Sequence, residues 1–433
     1  MARPRVPGAR SKHNKFHNVI AGTVVLAVLL GTLSFVPRGL ADAELPTEKA
    51  PPADEEPVSV EAPPVKEEES AVDEKNRPAL TVDTVASTGG HPGAPPLATV
   101  SAEPWMAQPA PDAGIPGLVA PAGSEKYHVI VSTNQGTYTQ WQSRVCYYWY
   151  RKMKALYPDS AMGGFTRLLH SGHPDELMEE IPTVVVDPMP PWVAEIARGY
   201  VVLERPLAFQ QWIRKYAHTI PEPYILMGEP DHIFILPPPL WATPTSPAAY
   251  NFFYIEPKQN EKIINRFNPN NVPIDQFDPI GNSPVMIHKD QFASFVDLWV
   301  NTSLAIKQDK EADKEFGWVQ EMYAYSIASA TAAGGPIRHQ LKTQFMAQPP
   351  WDDRPTRENG EHIYIIHFTY GNDFDVEGKF TPGKMVYYPS SNFPQPARKC
   401  NNTMVRRLIS SITEAAHSLP DWEAHTQKAE GTR

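Results

Sequence analysis

The sequence predicts an α/β fold over residues 126–425, with a mostly parallel central sheet flanked by helices. From residue 127 onward, short apolar runs alternate with stretches whose apolar residues recur at helical spacing, which is typical of strand–helix–strand units. Several apolar runs end in polar turns, and open α/β sheets bind ligands at the carboxyl ends of their strands. No GxGxxG motif follows the first strand, which disfavours a dinucleotide-binding domain.

The expected elements follow one another regularly in the first half of this region and less regularly in the second. A proline can occupy the first turn of a helix, so Pro206 marks one helix start. In chain order we predict a strand at 128–131, a helix at 138–156, strands at 165–169 and 183–186, a helix from Pro206, a strand at 224–228, a polar loop at 278–284, a strand at 285–288, helices at 290–307 and 317–333, and a strand at 362–366.

The N-terminus predicts a membrane anchor. Residues 1–18 are basic, and residues 19–36 form an uncharged, mostly apolar run that is long enough to cross a bilayer as a helix. Because the positive charge precedes the run, the positive-inside rule predicts a cytosolic tail, a single transmembrane signal anchor and a lumenal remainder. A cleaved signal peptide with a cleavage region at 38–43 is the alternative.

Residues 37–125 predict a disordered stem, since residues 41–125 contain 15 prolines, an acid-rich patch and very few aromatic residues. Residues 426–433 are expected to form a frayed tail. The net charge of −10, with no basic block beyond the N-terminus, argues against nucleic acid as a partner. Cys146 and Cys400 allow at most one disulfide, and two free thiols are equally compatible with the sequence.

The most informative motif begins where the apolar run at 224–227 breaks at Gly228 and delivers Glu229 and Asp231. A buried strand ending in this way places two carboxylates at the carboxyl edge of a sheet. Carboxylate oxygens suit Mg²⁺ or Mn²⁺ holding a diphosphate. The alternative is that both acids simply initiate a turn with Pro230.

His367 follows the apolar strand at 362–366 in the same way. With Asp231 it would complete a carboxylate–imidazole set that suits Mn²⁺, although a hydrogen-bonded histidine at a strand end is the simpler interpretation. Glu321, near the start of the helix at 317–333, could act as a base or stabilise a cationic sugar transition state. Its position near the positive end of a helix dipole offers an ordinary structural explanation.

Further polar and aromatic residues are candidates for substrate contacts. Thr133 and Asn134, in the turn after the first strand, could hydrogen-bond a nucleotide base and ribose, or belong to an ordinary loop. Arg167 could contact the diphosphate or the base, or form a surface ion pair. For the acceptor we expect contacts from residues in three different segments: Asn282, Trp351 and Tyr370. Core packing is the usual role of such large aromatic side chains.

Several segments resemble the plant and algal hydroxyproline O-arabinosyltransferases. The similarity covers about residues 127–422 and rests on long motifs in the right order: PDELMEEIPTVVVD (174–187), GYVVL (199–203), YILMGEPDHIF (224–234), DPIGNSP (278–284), FGWVQEMY (316–323) and QPPW (348–351). The tail, anchor and stem also match what a Golgi glycosyltransferase would carry. Gly228 is a local departure, since the family leads us to expect alanine there.

The resemblance implies a GT-A-like nucleotide-sugar transferase fold, a UDP-β-L-arabinofuranose donor and a hydroxyproline acceptor in a secreted peptide or cell-wall glycoprotein. It also implies retention of anomeric configuration and an Mn²⁺ (or Mg²⁺) site in which Glu229 and Asp231 form the acidic motif and His367 is the distal ligand. Glu321 is a less certain catalytic residue, because front-face transfer would need no protein base. The Golgi membrane, with the head in the lumen, is the implied location.

Two other functions remain compatible with the sequence. A related peptidyl-serine galactosyltransferase would use the same metal site with a different donor pocket. A membrane-tethered lectin or scaffold on the same fold would lack activity, but the presence of Glu229, Asp231 and His367 together argues against a decayed site.

Overall fold

The computed structural model describes residues 115–357, 359–368 and 400–425. The predicted cytosolic tail, signal anchor, most of the stem, Tyr370 and the tail after residue 425 lie outside these residues. No helix within the described ranges has both the length and the hydropathy needed to cross a bilayer.

The strands of the described residues form two sheets and are numbered in chain order. They are β1 (Tyr127–Thr133), β2 (Met162–Leu169), β3 (Thr183–Val185), β4 (Tyr224–Gly228), β5 (His232–Phe234), β6 (Ala248–Asn251), β7 (Ile280–His288), β8 (Gln340–Leu341), β9 (Met346–Ala347) and β10 (Ile365–His367).

The larger sheet has seven strands in the order β3-β2-β1-β4-β7-β6-β8. Its first four strands are parallel, β7 pairs antiparallel with both β4 and β6, and β8 is parallel to β6. The predicted α/β class with a mostly parallel central sheet is therefore confirmed. Because β1, β2 and β4 are parallel, their carboxyl ends meet at one edge of the sheet.

A second sheet of three strands has the order β5-β10-β9. Antiparallel pairing of β5 with β10 places His232 directly opposite His367. This small sheet therefore brings two chain segments, 135 residues apart by number, to the turn that follows β4.

The helices are also numbered in chain order. They are α1 (Thr137–Leu156), α2 (Pro191–Ala197), α3 (Glu204–Lys215), α4 (Glu261–Ile264), α5 (Lys289–Ala293), α6 (Val296–Gln308), α7 (Lys310–Phe316), α8 (Gln320–Ala330) and α9 (Thr403–Ser418). Helix α8 packs on β7, α6 packs on α8 and α3, and α9 packs on α1.

Aromatic side chains join the helices of one layer to each other. Trp299 of α6 lies 6.1 Å from Phe209 of α3 and 5.3 Å from Tyr325 of α8, measured between ring centroids, and all three are fully buried. Burying a large aromatic side chain contributes on the order of 2–3 kcal/mol. This cluster therefore holds the N-terminal halves of α3 and α8 in a fixed relation.

Four sequence predictions need correction. Residues 278–284 are mostly strand rather than loop, because β7 starts at Ile280 and Gly281 packs closely on α8, where an added Cβ would lie only 2.6 Å from Met322. The helix predicted at 290–307 is divided into α5 and α6. The folded head starts before residue 126, since Ile115 and Leu118 are buried in the core. The predicted strand at 362–366 is shorter and ends one residue later, at His367.

The remaining elements agree with the prediction within a few residues. Helix α1 spans the predicted range, and β1, β2 and β4 lie where apolar runs placed them. Cys146 and Cys400 are both buried and are not joined by a disulfide, which resolves the alternative left open by the sequence.

Candidate active site

The acidic motif lies in a tight turn between β4 and β5, at the carboxyl edge of the large sheet. Within the turn, the N–H of His232 donates to the carbonyl of Glu229 at 3.2 Å. The N–H of Phe368, just after β10, donates to the carbonyl of Asp231 at 2.9 Å. The motif is thus fixed both within the turn and from the second sheet, which limits the positions available to its side chains.

Asp231, His232 and His367 form a buried group of potential metal ligands. One ligand atom from each lies within 4.8 Å of the other two. Asp231 Oδ1 is 3.3 Å from His367 Nε2, and the two imidazole rings lie 5.0 Å apart at an interplanar angle of 86°. The structure therefore brings together Asp231 and His367, two predicted ligands from distant parts of the sequence.

His232 was not predicted as part of this group. It belongs to the same segment as the acidic motif, but it follows Asp231 directly and begins an apolar run, so it resembled a strand residue. Burial, with a smaller effect of His367, lowers the pKa of His232 to about 3, and the ring is therefore neutral. The feature that could have identified His232 as a ligand is the second histidine, His367, at the end of β10, which lies opposite His232 in the strand pairing.

Asp231 and His367 could bind a divalent ion without rearrangement, whereas His232 could not. Adjacent ligands of an octahedral ion with bonds of about 2.1 Å are about 3 Å apart, close to the separation of Asp231 Oδ1 and His367 Nε2. His232 Nε2 is buried and has no hydrogen-bond partner among the described residues. Because Nδ1 of His232 faces the N–H of Glu229 at 3.4 Å, coordination through Nε2 would require the ring proton to move to Nδ1.

Glu229 lies outside this group of three residues. Its carboxylate faces Arg205 of α3, with 3.2 Å between Arg205 Nη2 and Glu229 Oε2. The two acids of the motif thus have different partners in the structure. Asp231 faces the histidines, whereas Glu229 faces a cation.

Arg205 also binds Glu321, and Tyr200 completes the array. Arg205 Nη1 donates to Glu321 Oε1 at 2.6 Å, and the Tyr200 hydroxyl donates to Glu321 Oε2 at 3.0 Å. Burial acts to lower the pKa of Arg205, but the neighbouring carboxylates of Glu229 and Glu321 outweigh it and raise that pKa. We call Tyr200, Arg205, Glu229 and Glu321 the arginine array.

Glu321 is enclosed within this array, with a side chain that is only 2% exposed. Burial raises the pKa of Glu321, Arg205 opposes that change and Glu229 adds to it. Both carboxylate oxygens already have partners in the protein. The structure thus places the predicted catalytic acid at the start of α8, as expected, but holds it through Arg205 and Tyr200.

Arg205 was missed by sequence reasoning. A cation in the first turn of a helix is unfavourably placed relative to the helix dipole, and α3 starts at Glu204. Such a residue is stabilised only if carboxylates lie nearby, so its position was a usable signal. Its partners, however, lie in the turn after β4 and on α8, and no spacing in the sequence connects them.

The carboxyl end of β1 carries the predicted donor contacts. Thr133 is buried, and its Oγ1 has no hydrogen-bond partner among the described residues. Asn134 accepts from the Thr139 hydroxyl through both its carbonyl, at 2.8 Å, and its side-chain oxygen, at 3.1 Å. Next to them, the Ser132 hydroxyl lies 3.0 Å from His170 Nε2.

Asn282 is a second buried polar side chain without a partner. It is 1% exposed, and neither Nδ2 nor Oδ1 has a hydrogen-bond partner in the described part of the chain. Asn282 lies in β7, three residues before Val285, which pairs with Met227 of β4. This predicted acceptor contact is therefore in the strand next to the one that leads into the acidic turn.

Other predicted contacts lie in different surroundings. Arg167 is buried and pairs with both oxygens of Asp175, while its Nε donates to Thr183 at 3.0 Å. The ion pair is therefore buried, where we expected a diphosphate or base contact or a surface ion pair. Trp351 packs against the core, and its carbonyl accepts from Asn402 at 2.6 Å.

Comparison with known proteins agrees with the resemblance. The profile of the hydroxyproline O-arabinosyltransferase family N-terminal domain matches residues 127–341, and that of the family's C-terminal domain matches residues 364–423. Hydroxyproline O-arabinosyltransferase RDN1 of Medicago truncatula is 48% identical over 313 residues, which is 70% of this chain and 84% of the relative.

More distant proteins are also similar. Peptidyl serine alpha-galactosyltransferase of Arabidopsis thaliana is 24% identical over 66% of this chain and 36% of its own length. Among solved structures, the WbbM bifunctional glycosyltransferase aligns with a TM-score of 0.39 and 9% identity, over 71% of this chain and 52% of the other. At that TM-score the structural likeness supports no further conclusion.

The two profile matches define the chain as a glycosyltransferase, and its acidic motif lies at the carboxyl edge of a mostly parallel sheet. The two profile matches and the 48% identity over most of the chain show that it belongs to the hydroxyproline O-arabinosyltransferase family.

Proposed function

We propose that this protein transfers L-arabinofuranose from UDP-β-L-arabinofuranose to the hydroxyl group of hydroxyproline in secreted peptides or cell-wall glycoproteins, with retention of configuration. The observation that carries the proposal is the family match across both domains of the head, 127–341 and 364–423. The buried carboxylate–imidazole pair of Asp231 and His367 supports it, because a family match alone would not require ligand geometry to be intact.

The site would hold Mn²⁺ (or Mg²⁺) through Asp231 and His367, with His232 as a third candidate ligand. When bound, such an ion would neutralise negative charge that builds up on a diphosphate leaving group. Thr133 offers an unsatisfied hydroxyl at the end of β1 for the nucleoside, where we also place Asn134. Asn282 offers an unsatisfied amide in β7, the strand that pairs with β4, for a sugar or acceptor hydroxyl.

The proton of the acceptor hydroxyl would pass to the departing phosphate oxygen. The bond from the acceptor oxygen to the anomeric carbon forms on the face from which the bond to phosphate breaks, so configuration is retained. We assign no protein base, because the only acid proposed for that role, Glu321, has both oxygens engaged by Arg205 and Tyr200. Trp351 and Tyr370 remain proposed acceptor contacts.

The proposed location is the Golgi membrane, as a single-pass type II protein with the head in the lumen. The apolar run at 19–36, preceded by basic residues, supports this orientation. Protease protection of the head in sealed Golgi vesicles, lost on adding detergent, would test it.

Transfer is tested directly with the purified full-length protein in detergent, UDP-β-L-arabinofuranose and a hydroxyproline-containing peptide, with Mn²⁺ or EDTA. We expect a pentose-sized gain in peptide mass that requires the metal ion. The 24% identity to a peptidyl serine galactosyltransferase motivates a parallel reaction with UDP-galactose and a serine peptide. Hexose transfer to serine without pentose transfer to hydroxyproline would overturn the proposed donor and acceptor.

A further inference from the structure

Arg205 links the acidic motif to the most deeply buried acid near the site. Its two terminal nitrogens face different carboxylates, Glu229 at 3.2 Å and Glu321 at 2.6 Å. Side-chain exposure falls along this line, from 21% for Glu229 through 17% for Arg205 to 2% for Glu321. The array therefore runs from the protein interior to the edge of the sheet.

We propose that Arg205 is a positioning residue that holds Glu229 away from the metal ligands and makes metal binding depend on the nucleotide, with Glu321 and Tyr200 as its anchor. This inference rests on the proposed nucleotide-sugar transferase function. Arg205 positions Glu229, and Tyr200 helps to anchor Arg205. Glu321 acts as an anchor in this proposal, and not as the base or transition-state stabiliser that the sequence suggested.

The anchoring part follows from the hydrogen bonds. Glu321 receives one bond from Arg205, on Oε1, and one from Tyr200, on Oε2. The bond from Tyr200 therefore orients the carboxylate whose other oxygen holds the guanidinium from the buried side. A planar guanidinium presents donors in fixed directions, so fixing one nitrogen also fixes the other. Glu229 is then held by a donor whose position is set by α8, and not by the turn alone.

The dependence on nucleotide follows from charge. Arg205 lies in contact with one acid of the motif and within electrostatic range of the other, Asp231. A fixed cation at this position repels a divalent cation and attracts a diphosphate. It therefore weakens binding of the metal ion alone and favours binding of the ion together with UDP.

The test measures Mn²⁺ binding to the purified full-length protein by the EPR signal of free Mn²⁺, without and with UDP. For Arg205→Met we expect Mn²⁺ alone to bind more tightly, by about fivefold or more, and UDP binding in the presence of Mn²⁺ to weaken by at least about tenfold. For Glu321→Gln, which keeps the shape but removes a negative charge, Mn²⁺ alone should bind more weakly. Arg205→Lys keeps the charge and should leave binding of Mn²⁺ alone within about twofold of wild type, while kcat falls.

Arg144 provides a matched control. It is a buried arginine that pairs with Glu180 at 2.8 Å and donates to the carbonyl of Pro420 at 2.7 Å, outside the array. Arg144→Met should lower the midpoint of thermal unfolding and leave both binding constants unchanged. If Arg205→Met only lowers that midpoint, or weakens both kinds of binding together, Arg205 has a structural role and the proposal is wrong.

The binding measurements use no sugar, so they are separable from the test of the transfer reaction. Opposite changes in Mn²⁺ and UDP binding, in a protein that transfers no pentose, would support the array and reject the proposed donor. Pentose transfer without those opposite changes would reject the array alone. If the wild-type protein binds no Mn²⁺ with or without UDP, the array proposal falls as well. If Arg205→Met fails to fold, the other two variants test the proposal. Mn²⁺ alone should bind more weakly to Glu321→Gln, and kcat should fall in Arg205→Lys; without these two changes the proposal is wrong.

Discussion

Two regions of the molecule contain the same buried arrangement of a tyrosine, a carboxylate and a cation. In the first, Glu321 binds Tyr200 and Arg205. In the second, Glu414 of α9 accepts from the Tyr148 hydroxyl of α1 at 2.7 Å and pairs with Lys152 of the same helix. The two carboxylates are similarly buried, with side chains 2% and 3% exposed.

The difference lies in what the cation contacts next. Arg205 reaches a second carboxylate, Glu229, in the turn that carries Asp231. Lys152 lies 4.7 Å from the ring of Trp149 on its own helix, so the second array stays between α1 and α9. A similar arrangement thus serves helix packing in one place and reaches the candidate active site in the other, because a guanidinium presents its donors in fixed directions and can bind two carboxylates.

The largest effect should come from a change in the metal-ligand group itself, which lies next to the arginine array and away from the group of Tyr148, Lys152 and Glu414. Replacing Asp231 by alanine removes a carboxylate whose oxygen is 3.3 Å from His367 Nε2. Since a metal ion contributes several kcal/mol to transfer chemistry, we expect pentose transfer to fall by more than about 100-fold and Mn²⁺ binding to be lost. Circular dichroism should show a midpoint of thermal unfolding close to that of wild type. Metal-dependent transfer by Asp231→Ala at near wild-type rate would refute the assignment of this ligand.

The two arrays are compared directly with Glu321→Gln and Glu414→Gln. Each change removes the charge from a buried carboxylate that pairs with a cation, and we expect each to lower the free energy of unfolding by about 1–3 kcal/mol. Urea titrations should therefore give similar losses. Transfer by the folded protein should fall at least about tenfold in Glu321→Gln and stay within about twofold of wild type in Glu414→Gln. Equal losses of transfer in both variants would show that the arrays do not differ in function.

Features that depend on residues close together in the chain could be predicted from the sequence. The runs that form β1, β2 and β4 are almost wholly buried and read as strands, so the carboxyl edge and the acidic turn could be predicted. The start of β7 could not, because Gly281 and Pro284 are typical of a loop, and the segment forms a strand through pairing with β6 and packing against α8.

Partners that are distant in the chain could not be predicted. Arg205 and Glu321 are 116 residues apart, and they meet because the aromatic cluster of α3, α6 and α8 fixes the N-terminal halves of the two helices. His232 joins the metal-ligand candidates only through its antiparallel pairing with His367. Residue types therefore indicated which side chains could do chemistry, and tertiary packing determined which of them act together.

A smaller effect concerns pH, where Glu321 contrasts with Glu222. Burial acts to raise the pKa of Glu222, but its hydrogen bond and charge interaction with His128 outweigh burial and lower that pKa to about 2. Its contribution to stability is present above pH 4.5, the ordinary value, and is lost as the pH falls to about 2. The pKa of Glu321 is raised, so its contribution is present below pH 4.5 and is lost as the pH rises through the raised value.

The corresponding variants should therefore show opposite pH dependence. The loss of stability in Glu222→Gln should be largest above about pH 5 and should shrink as the solution becomes acidic. Relative to wild type, Glu321→Gln should become less destabilised as the pH rises from about 4.5 towards neutrality. Urea midpoints of both variants and wild type between about pH 3 and pH 8 measure this difference. Parallel curves for the two variants would contradict the opposite directions of the two pKa shifts.

The smallest expected effect is at Gly228, where the family led us to expect alanine. A Cβ at this position would lie 3.5 Å from His232 Nδ1 and 3.6 Å from Val131 Cγ2, which are ordinary contact distances. Gly228→Ala should therefore stabilise the protein by about 0.4–1 kcal/mol through the unfolded chain and leave Mn²⁺ binding unchanged. Gly281→Ala is the matched control, because its Cβ would meet Met322 at 2.6 Å and should destabilise by about 1–3 kcal/mol. Weaker Mn²⁺ binding in Gly228→Ala would instead show that the metal-ligand group depends on the exact position of the His232 ring.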